Sequence, residues 1–186
     1  MEDKIIKAKK VILNGGVILY PTDTIWGIGC SAIIESAIKK IFEIKKRNNN
    51  KLLISLVSSI EMLERYVESV PERALEYLYD ESPTTIIYPK VKGFNHILHG
   101  KNESIAIRLV KDNFCKALID EINIPLISTS ANISGNPFPK KFKEIDKRII
   151  NQVDYVVNLN DSNLINSKPS RIIKVSFNGQ IEVIRE

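Results

Sequence analysis

Residues 104–130 read SIAIRLVKDNFCKALIDEINIPLISTS. Ile105 to Leu109 and Leu126 to Thr129 are short apolar runs of strand length, and residues 113–122 between them read as a helix. Strands separated by helices are the signature of an α/β fold. The alternation continues outward. Ile5, Ile6, Val11 and Ile12 recur at helical spacing and stop at Gly15-Gly16, and Val17 to Tyr20 is an apolar run ended by Pro21. Residues 35–46 predict an amphipathic helix with Ala37, Ile38, Ile41, Phe42 and Ile44 inward, broken by Asn48-Asn49-Asn50, before a strand at Leu52 to Val57. Helices near 59–68 and 72–80, the second opened by Pro71, lead to a strand at Thr84 to Tyr88. Beyond the quoted stretch, 141–150 reads as helix and 154–159 as extended chain. Arg171 to Phe177 and Gln180 to Arg185 flank Asn178-Gly179 as a hairpin. Helices alternating with strands and giving way to a strand-rich end predict one α/β domain over residues 1–186. It is built on an open, twisted sheet of mixed parallel and antiparallel strands with flanking helices.

No apolar run reaches the roughly 20 residues that span a bilayer. The first residues, MEDKIIKAKK, carry charges where a signal peptide needs its apolar stretch. Both features predict a cytoplasmic or organelle-matrix chain with no membrane partner. Cys30 and Cys115 have no metal-ligand spacing and read as small buried apolar residues. The net charge of +5 fits a polyanionic partner such as a nucleotide or RNA, although a chain rich in Lys, Ile and Asn throughout acquires such a charge from composition alone.

The common nucleotide motifs are missing. There is no phosphate loop, Gly27-x-Gly29 lacks the third glycine of a dinucleotide fingerprint, and no nucleophile elbow or H-E-x-x-H helix is present. His96 and His99 sit beside glycines in a loop-like stretch and read as structural or solvated. What remains is hydroxyls and cations at the ends of elements. Thr22 and Thr24 follow an apolar strand and share one side if extended geometry continues. Ser128, Ser130 and Asn132 repeat the arrangement after another strand. Ligands of open α/β sheets gather beyond the carboxyl ends of strands, so the two segments predict one pocket; each taken alone also reads as a turn. Lys45, Lys46, Arg47 and Lys51 surround a helix end, where cations are stabilising in any case. Arg108 ends an apolar strand and needs an anionic partner if buried.

In chain order these segments resemble the YrdC-like threonylcarbamoyl-AMP synthases. Residues 21–30, PTDTIWGIGC, are similar to that family's P-T-[DE]-T-x-Y-G-L signature. Lys45-x-Arg47 with Lys51 and Leu53 is similar to its K-x-R-P-x-x-x-P-L segment. Residues 104–108, SIAIR, resemble the strand ending in the family arginine. Residues 128–135, STSANISG, resemble S-A-N-x-S-G, and Pro169-Ser170 followed by Ile172-Ile173 resembles P-S-T-[IV]-[IV]. Departures are Trp26 for Tyr, Lys46 for Gly, Asn48 for Pro, Val110 for Pro, Arg171 for Thr and Glu186 for Gly. Leu56 stands where some members carry a polar substrate contact, and Ser82-Pro83-Thr84-Thr85 matches G-P-L-T loosely.

The resemblance implies the single-domain type with a large basic concavity. Its reaction joins L-threonine, bicarbonate or CO2, and ATP into threonylcarbamoyl-AMP and pyrophosphate for N6-threonylcarbamoyladenosine formation at tRNA position 37. It implies Lys45, Arg47 and Lys51 on the phosphates, and Arg108 on the threonine carboxylate or carbamate. Thr24, Ser128 and Ser170 orient threonine; Ser104, Ser130 and Arg185 lie on the nucleotide side; Thr22 and Asn132 support the turns. Mg²⁺ is expected to arrive with ATP, without a protein ligand. A tRNA contact and handover to a threonylcarbamoyl-transfer complex also follow from it. Crowding several anions needs cations and dipoles rather than an enzyme nucleophile, which suits these residues. The rivals are a non-catalytic RNA-binding module and a carbamoyl-transfer or hydrolase subunit. Against the first, the basic residues lack interleaved stacking aromatics.

Overall fold

A computed structural model describes residues 1–47, 52–158 and 168–186. The strands are β1 (Ile18–Tyr20), β2 (Gly27–Ser31), β3 (Ile54–Val57), β4 (Thr84–Tyr88), β5 (Ile105–Leu109), β6 (Leu126–Ser130), β7 (Tyr155–Val156), β8 (Arg171–Val175) and β9 (Ile181–Arg185). Among the described residues they form one sheet of nine strands in the order β7-β1-β2-β6-β3-β5-β4-β8-β9. β1 with β7, β3 with β5 and β4 with β8 run parallel and the other pairs antiparallel, so the sheet is mixed, as the sequence predicts. The helices are α1 (Glu2–Leu13), α2 (Glu35–Lys45), α3 (Ile60–Glu64), α4 (Glu72–Tyr79), α5 (Asn113–Ile122) and α6 (Lys147–Ile150). None is long and apolar enough to cross a membrane.

Side-chain alternation divides the sheet into a packed face and a ligand-facing one. Ile86, Ile107, Ile127 and Ile173 are buried in the hydrophobic cluster, each contributing roughly 1.5–3 kcal/mol by leaving water. Their neighbours Thr85, Arg108, Ser128 and Ile172 line the opposite, concave side. α1 packs on α5 and on β1 and β2, α5 reaches β3, and α2 lies against β2 and α6.

Local chemistry sets the helix ends. Asp112 accepts from the backbone N–H of Cys115 at 2.8 Å and caps α5, which keeps the predicted bounds. α2 buries Ala37, Ile38, Ile41, Phe42 and Ile44 as predicted, and closes with Lys46 in the left-handed conformation at φ 49°. The predicted breaker, Asn48 to Asn50, lies outside the described residues.

Several boundaries differ from the sequence reading. β2 was not read as a strand because Gly27 and Gly29 weaken that signal, yet Gly29 is demanded by its neighbours. A Cβ there would lie 2.4 Å from the Ile127 carbonyl oxygen and 2.9 Å from the Tyr20 ring. The helix read over 141–150 is a 3-10 turn at Phe142–Glu144 followed by α6, because Asp146 accepts from the Arg148 N–H at 2.8 Å and starts a new cap. The stretch 59–68 is helical only over Ile60–Glu64, and 154–159 pairs only at Tyr155–Val156. The Asn178-Gly179 hairpin forms, with Gly179 at φ 77°.

Candidate functional site

The concave face carries a cavity of about 300 Å³ floored by alternate residues of β2, β6, β3, β5, β4 and β8. Its hydroxyls are fixed by one another. Thr22 Oγ1 gives its single proton to the Ile25 carbonyl at 2.8 Å, so Thr24 is the donor in the 2.9 Å bond between the two threonines. Thr22 Oγ1 also accepts from the N–H of Thr24 at 3.0 Å. The two side chains therefore meet through a hydroxyl-closed bend, not through strand alternation as the sequence suggested. The fully buried Tyr20, held protonated by burial and by the neighbouring Cys115, donates to Ser128 Oγ at 2.7 Å. Thr85 and Ser170 share a hydroxyl pair at 2.8 Å.

Three arginines reach this cavity, and among the described residues no carboxylate lines it. Arg108 is 4% exposed. Its Nη1 donates to Thr24 Oγ1 at 3.1 Å, and its Nη2 lies 3.2 Å from Asp23 Oδ1. A buried guanidinium needs such a counterion, and Asp23 supplies it from outside the cavity lining. Arg47 Nη2 donates to the Leu52 carbonyl at 2.9 Å, and burial pushes this guanidinium below its ordinary pKa. Arg185 donates through Nε and Nη2 to the Ser170 carbonyl at 3.2 and 2.6 Å and is likewise pushed down by burial. All three keep N–H groups for an anion.

The fold brings together Thr22, Thr24, Arg47, Arg108, Ser128, Ser130, Ser170 and Arg185, eight of the residues singled out in the sequence. Lys45 requires a correction: it does not line the cavity but is 1% exposed behind its wall. Its ammonium is spent on the carbonyls of Ser130 and Asn132 and on Asn132 Oδ1. Burial, then the charge of Arg47, lowers its pKa to about 7. Asn132 is a brace, as expected, donating to the Ile133 and Asn136 carbonyls at 3.2 and 2.6 Å. Ser104 also falls outside the lining, because it precedes β5 and its carbonyl accepts from Gly100 N at 2.8 Å. Lys51 lies outside the described residues.

Departures from the family pattern now have places. Arg171 points away from the cavity, since alternation along β8 gives that side to Ile172. It binds Asp80 Oδ2 at 2.6 Å and Thr84 Oγ1 at 2.9 Å and stacks 4.7 Å over Tyr77. Trp26 is buried against Phe142, with ring centroids 5.3 Å apart. Leu56 is on the cavity floor. Thr85 was missed as a lining residue, although the alternation in TTIIY puts it on one face with Ile87. Cys30 and Cys115 are free, buried thiols raised by burial, as expected of apolar packing. His96 sits in a 3-10 turn and His99 at its end. Among the described residues no cluster of three or more His, Cys, Asp or Glu could hold a metal.

Comparison with known proteins agrees with this arrangement. Residues 10–186 match the family model Sua5/YciO/YrdC, whose description reads Telomere recombination. A Methanocaldococcus jannaschii protein is 37% identical over 181 residues, 96% of this chain and 83% of its own length. The threonylcarbamoyl-AMP synthase of Stutzerimonas stutzeri is 30% identical over 157 residues, covering 83% of this chain and 84% of that protein. Pyrococcus abyssi Sua5, in its crystal structure complexed with L-threonine, superposes with a TM-score of 0.83 at 26% identity over 97% of this chain. This chain spans about half of the Sua5 chain, 54% of it.

Proposed function

The chain belongs to the Sua5/YciO/YrdC family, and we propose that it synthesises threonylcarbamoyl-AMP from L-threonine, bicarbonate or CO2, and ATP, as a nucleotidyltransferase. The observation that carries this reading is Arg108, buried in a cavity that no carboxylate lines among the described residues, with Arg47 and Arg185 on the same concave face.

The threonine ammonium condenses with bicarbonate to give the N-carboxylate, releasing water and one proton. A carbamate oxygen then bonds to the α-phosphorus of ATP as the bond to pyrophosphate breaks. Each step gathers negative charge, so what the protein contributes is preorganised donors. Arg108, aimed by Thr24 and balanced by Asp23, receives the threonine carboxylate or the carbamate in its planar fork. Ser128, fixed by Tyr20, and Ser170, fixed by Thr85, offer oriented hydroxyls to threonine. Arg47, Ser130 and Arg185 take the nucleotide and its phosphates. Among the described residues no carboxylate lines the cavity, and Mg²⁺ keeps several waters and relies on substrate phosphates, so in this reading the ion arrives on ATP with no protein ligand assigned. The labile product then passes to the machinery that transfers the threonylcarbamoyl group to tRNA.

A non-catalytic RNA-binding module is disfavoured by burial, because a phosphate backbone is tracked by exposed cations and Arg108 is sunk in the cavity. The test is pyrophosphate release measured with all three substrates and with each omitted in turn. Release that needs all three supports the proposal. Tight, salt-sensitive RNA binding without turnover would support the rival.

A further inference from the structure

Tyr20 on β1 and Ser128 on β6 are separated by β2, yet the Tyr20 hydroxyl donates to Ser128 Oγ at 2.7 Å. β2 lets the phenol pass because its residues along that line are glycines. Gly27 pairs with Tyr20 and Ser130, and Gly29 pairs with Ile18 and Ser128. A Cβ on Gly29 would stand 2.9 Å from the Tyr20 ring and 3.0 Å from its hydroxyl oxygen, and one on Gly27 would stand 3.2 Å from Ser128 Oγ. Tyr20 is fully buried and does not line the cavity, whereas Ser128 does.

The direction of this bond limits what Ser128 can bind. Among the described residues Ser128 is the hydrogen-bond partner of the Tyr20 hydroxyl, and a buried phenol must donate, because a proton left unpaired in the core costs the desolvation of the group. Ser128 Oγ therefore accepts from Tyr20, and no acceptor among the described residues takes its own proton. Other hydroxyls on the wall differ. Thr22 and Thr24 spend their protons on the Ile25 carbonyl and on Thr22 Oγ1, and Ser130 donates to Asn132 Oδ1. Ser128 is thus left as a donor at the cavity surface. Arg108 lies across β3 from it, near enough for its charge to act on Tyr20, so one anion can meet both donors.

We propose that Tyr20 is a positioning residue of the amino-acid site: by filling a lone pair of Ser128 it makes that hydroxyl a fixed donor, which binds the carboxylate held by Arg108 and not the ammonium or the side-chain hydroxyl of the amino acid. The inference rests on the reading of the cavity as a threonine site and deepens it. A serine free to rotate offers an acceptor as readily as a donor. Tyr20 removes that choice and favours an anionic oxygen, the partner with which a hydroxyl makes its stronger bonds. Tyr20 itself touches no substrate and acts only through Ser128.

The test is calorimetric titration of two amino acids, L-threonine and L-2-aminobutyrate, into the whole chain without bicarbonate. The second keeps the carboxylate and the methyl group but lacks the hydroxyl. The wild type is compared with Tyr20→Phe, Ser128→Ala and the double variant, each shown to be folded by circular dichroism. Tyr20→Phe keeps the ring over Gly29 and should weaken both amino acids by the same factor, roughly three- to tenfold, the range for one hydrogen bond. In the Ser128→Ala background the same change should cost nothing further, and the KM for ATP in pyrophosphate release should not move. A merely structural tyrosine would act in both backgrounds and on both substrates. Tyr20→Phe binding as tightly as the wild type, weakening L-threonine alone, or acting equally without Ser128 overturns the inference. If Tyr20→Phe does not fold, Ser128→Ala decides: equal loss for the two amino acids supports the inference, and loss confined to L-threonine overturns it. A wild type that binds neither amino acid overturns the threonine reading and the inference with it. One that binds them without releasing pyrophosphate when all substrates are present overturns the synthase reading alone, and the comparison of variants still decides the inference.

Discussion

The Arg108 guanidinium donates from Nη1 to Thr24 Oγ1 at 3.1 Å, joining the end of β5 to the loop after β1 across 84 residues of sequence. Thr24 can accept because its own proton goes to Thr22, whose proton goes to the Ile25 carbonyl. The hydroxyl chain therefore has one direction, and it fixes the arginine fork. Arg108→Ala should lower kcat/KM by roughly a hundredfold or more, the scale of losing one preorganised donor at a developing charge. Steady-state kinetics on a variant shown to be folded checks this; near-normal turnover would remove Arg108 from the chemistry.

The helix end before Arg47 carries a correctable strain. Lys46 sits at φ 49°, ψ 44°, a conformation that glycine adopts without a Cβ penalty. Lys46→Gly should therefore raise stability by about 1 kcal/mol in urea denaturation. Destabilisation of that size would mean the exposed side chain has a role that its surroundings do not indicate.

β2 makes the opposite prediction. Gly29 faces the Ile127 carbonyl oxygen and the Tyr20 ring so closely that Gly29→Ala requires one of them to move. The cost should be about 2–3 kcal/mol, typical of overpacking in a rigid core. Displacing Tyr20 would also loosen Ser128 and raise the KM for threonine. A variant as stable as the wild type would contradict the close packing of β1 on β2.

For the empty protein, the pH dependence runs in a defined direction. The Lys45 amine is lowered from 10.5 to about 7 in the fold by burial and Arg47. Between those values the unfolded chain binds a proton that the folded chain does not, so this group raises folding stability as pH rises through the window. Denaturation of the wild type against Lys45→Met should show the wild type gaining stability between pH 7 and about 10. A constant difference would mean that the amine keeps its ordinary pKa in the fold.

Much of the fold was legible because the apolar runs are short and their spacing regular. α5 keeps its predicted bounds, and in the fold Asp112 caps its start while Asn123, in the left-handed conformation, closes its end. β2 was lost because its identity lies in what it packs against: GIGCS has the composition of a loop until Tyr20 lies across it. Of the site, residues at strand ends were found, since alternation places Arg108 and Ser128 on one face. Lys45 was placed on the phosphates by its likeness to the family's basic segment, and the three acceptors that hold it behind the wall lie 85 to 87 residues away. Thr85 escaped notice for the same reason, its partner Ser170 being 85 residues distant.

The most direct test of the central claim is mass spectrometry of the nucleotides formed from ATP, L-threonine and ¹³C-bicarbonate. If the cavity joins all three, threonylcarbamoyl-AMP appears carrying the label, with pyrophosphate in equal amount. Pyrophosphate released without a labelled adenylate, or released equally without threonine, would contradict the account.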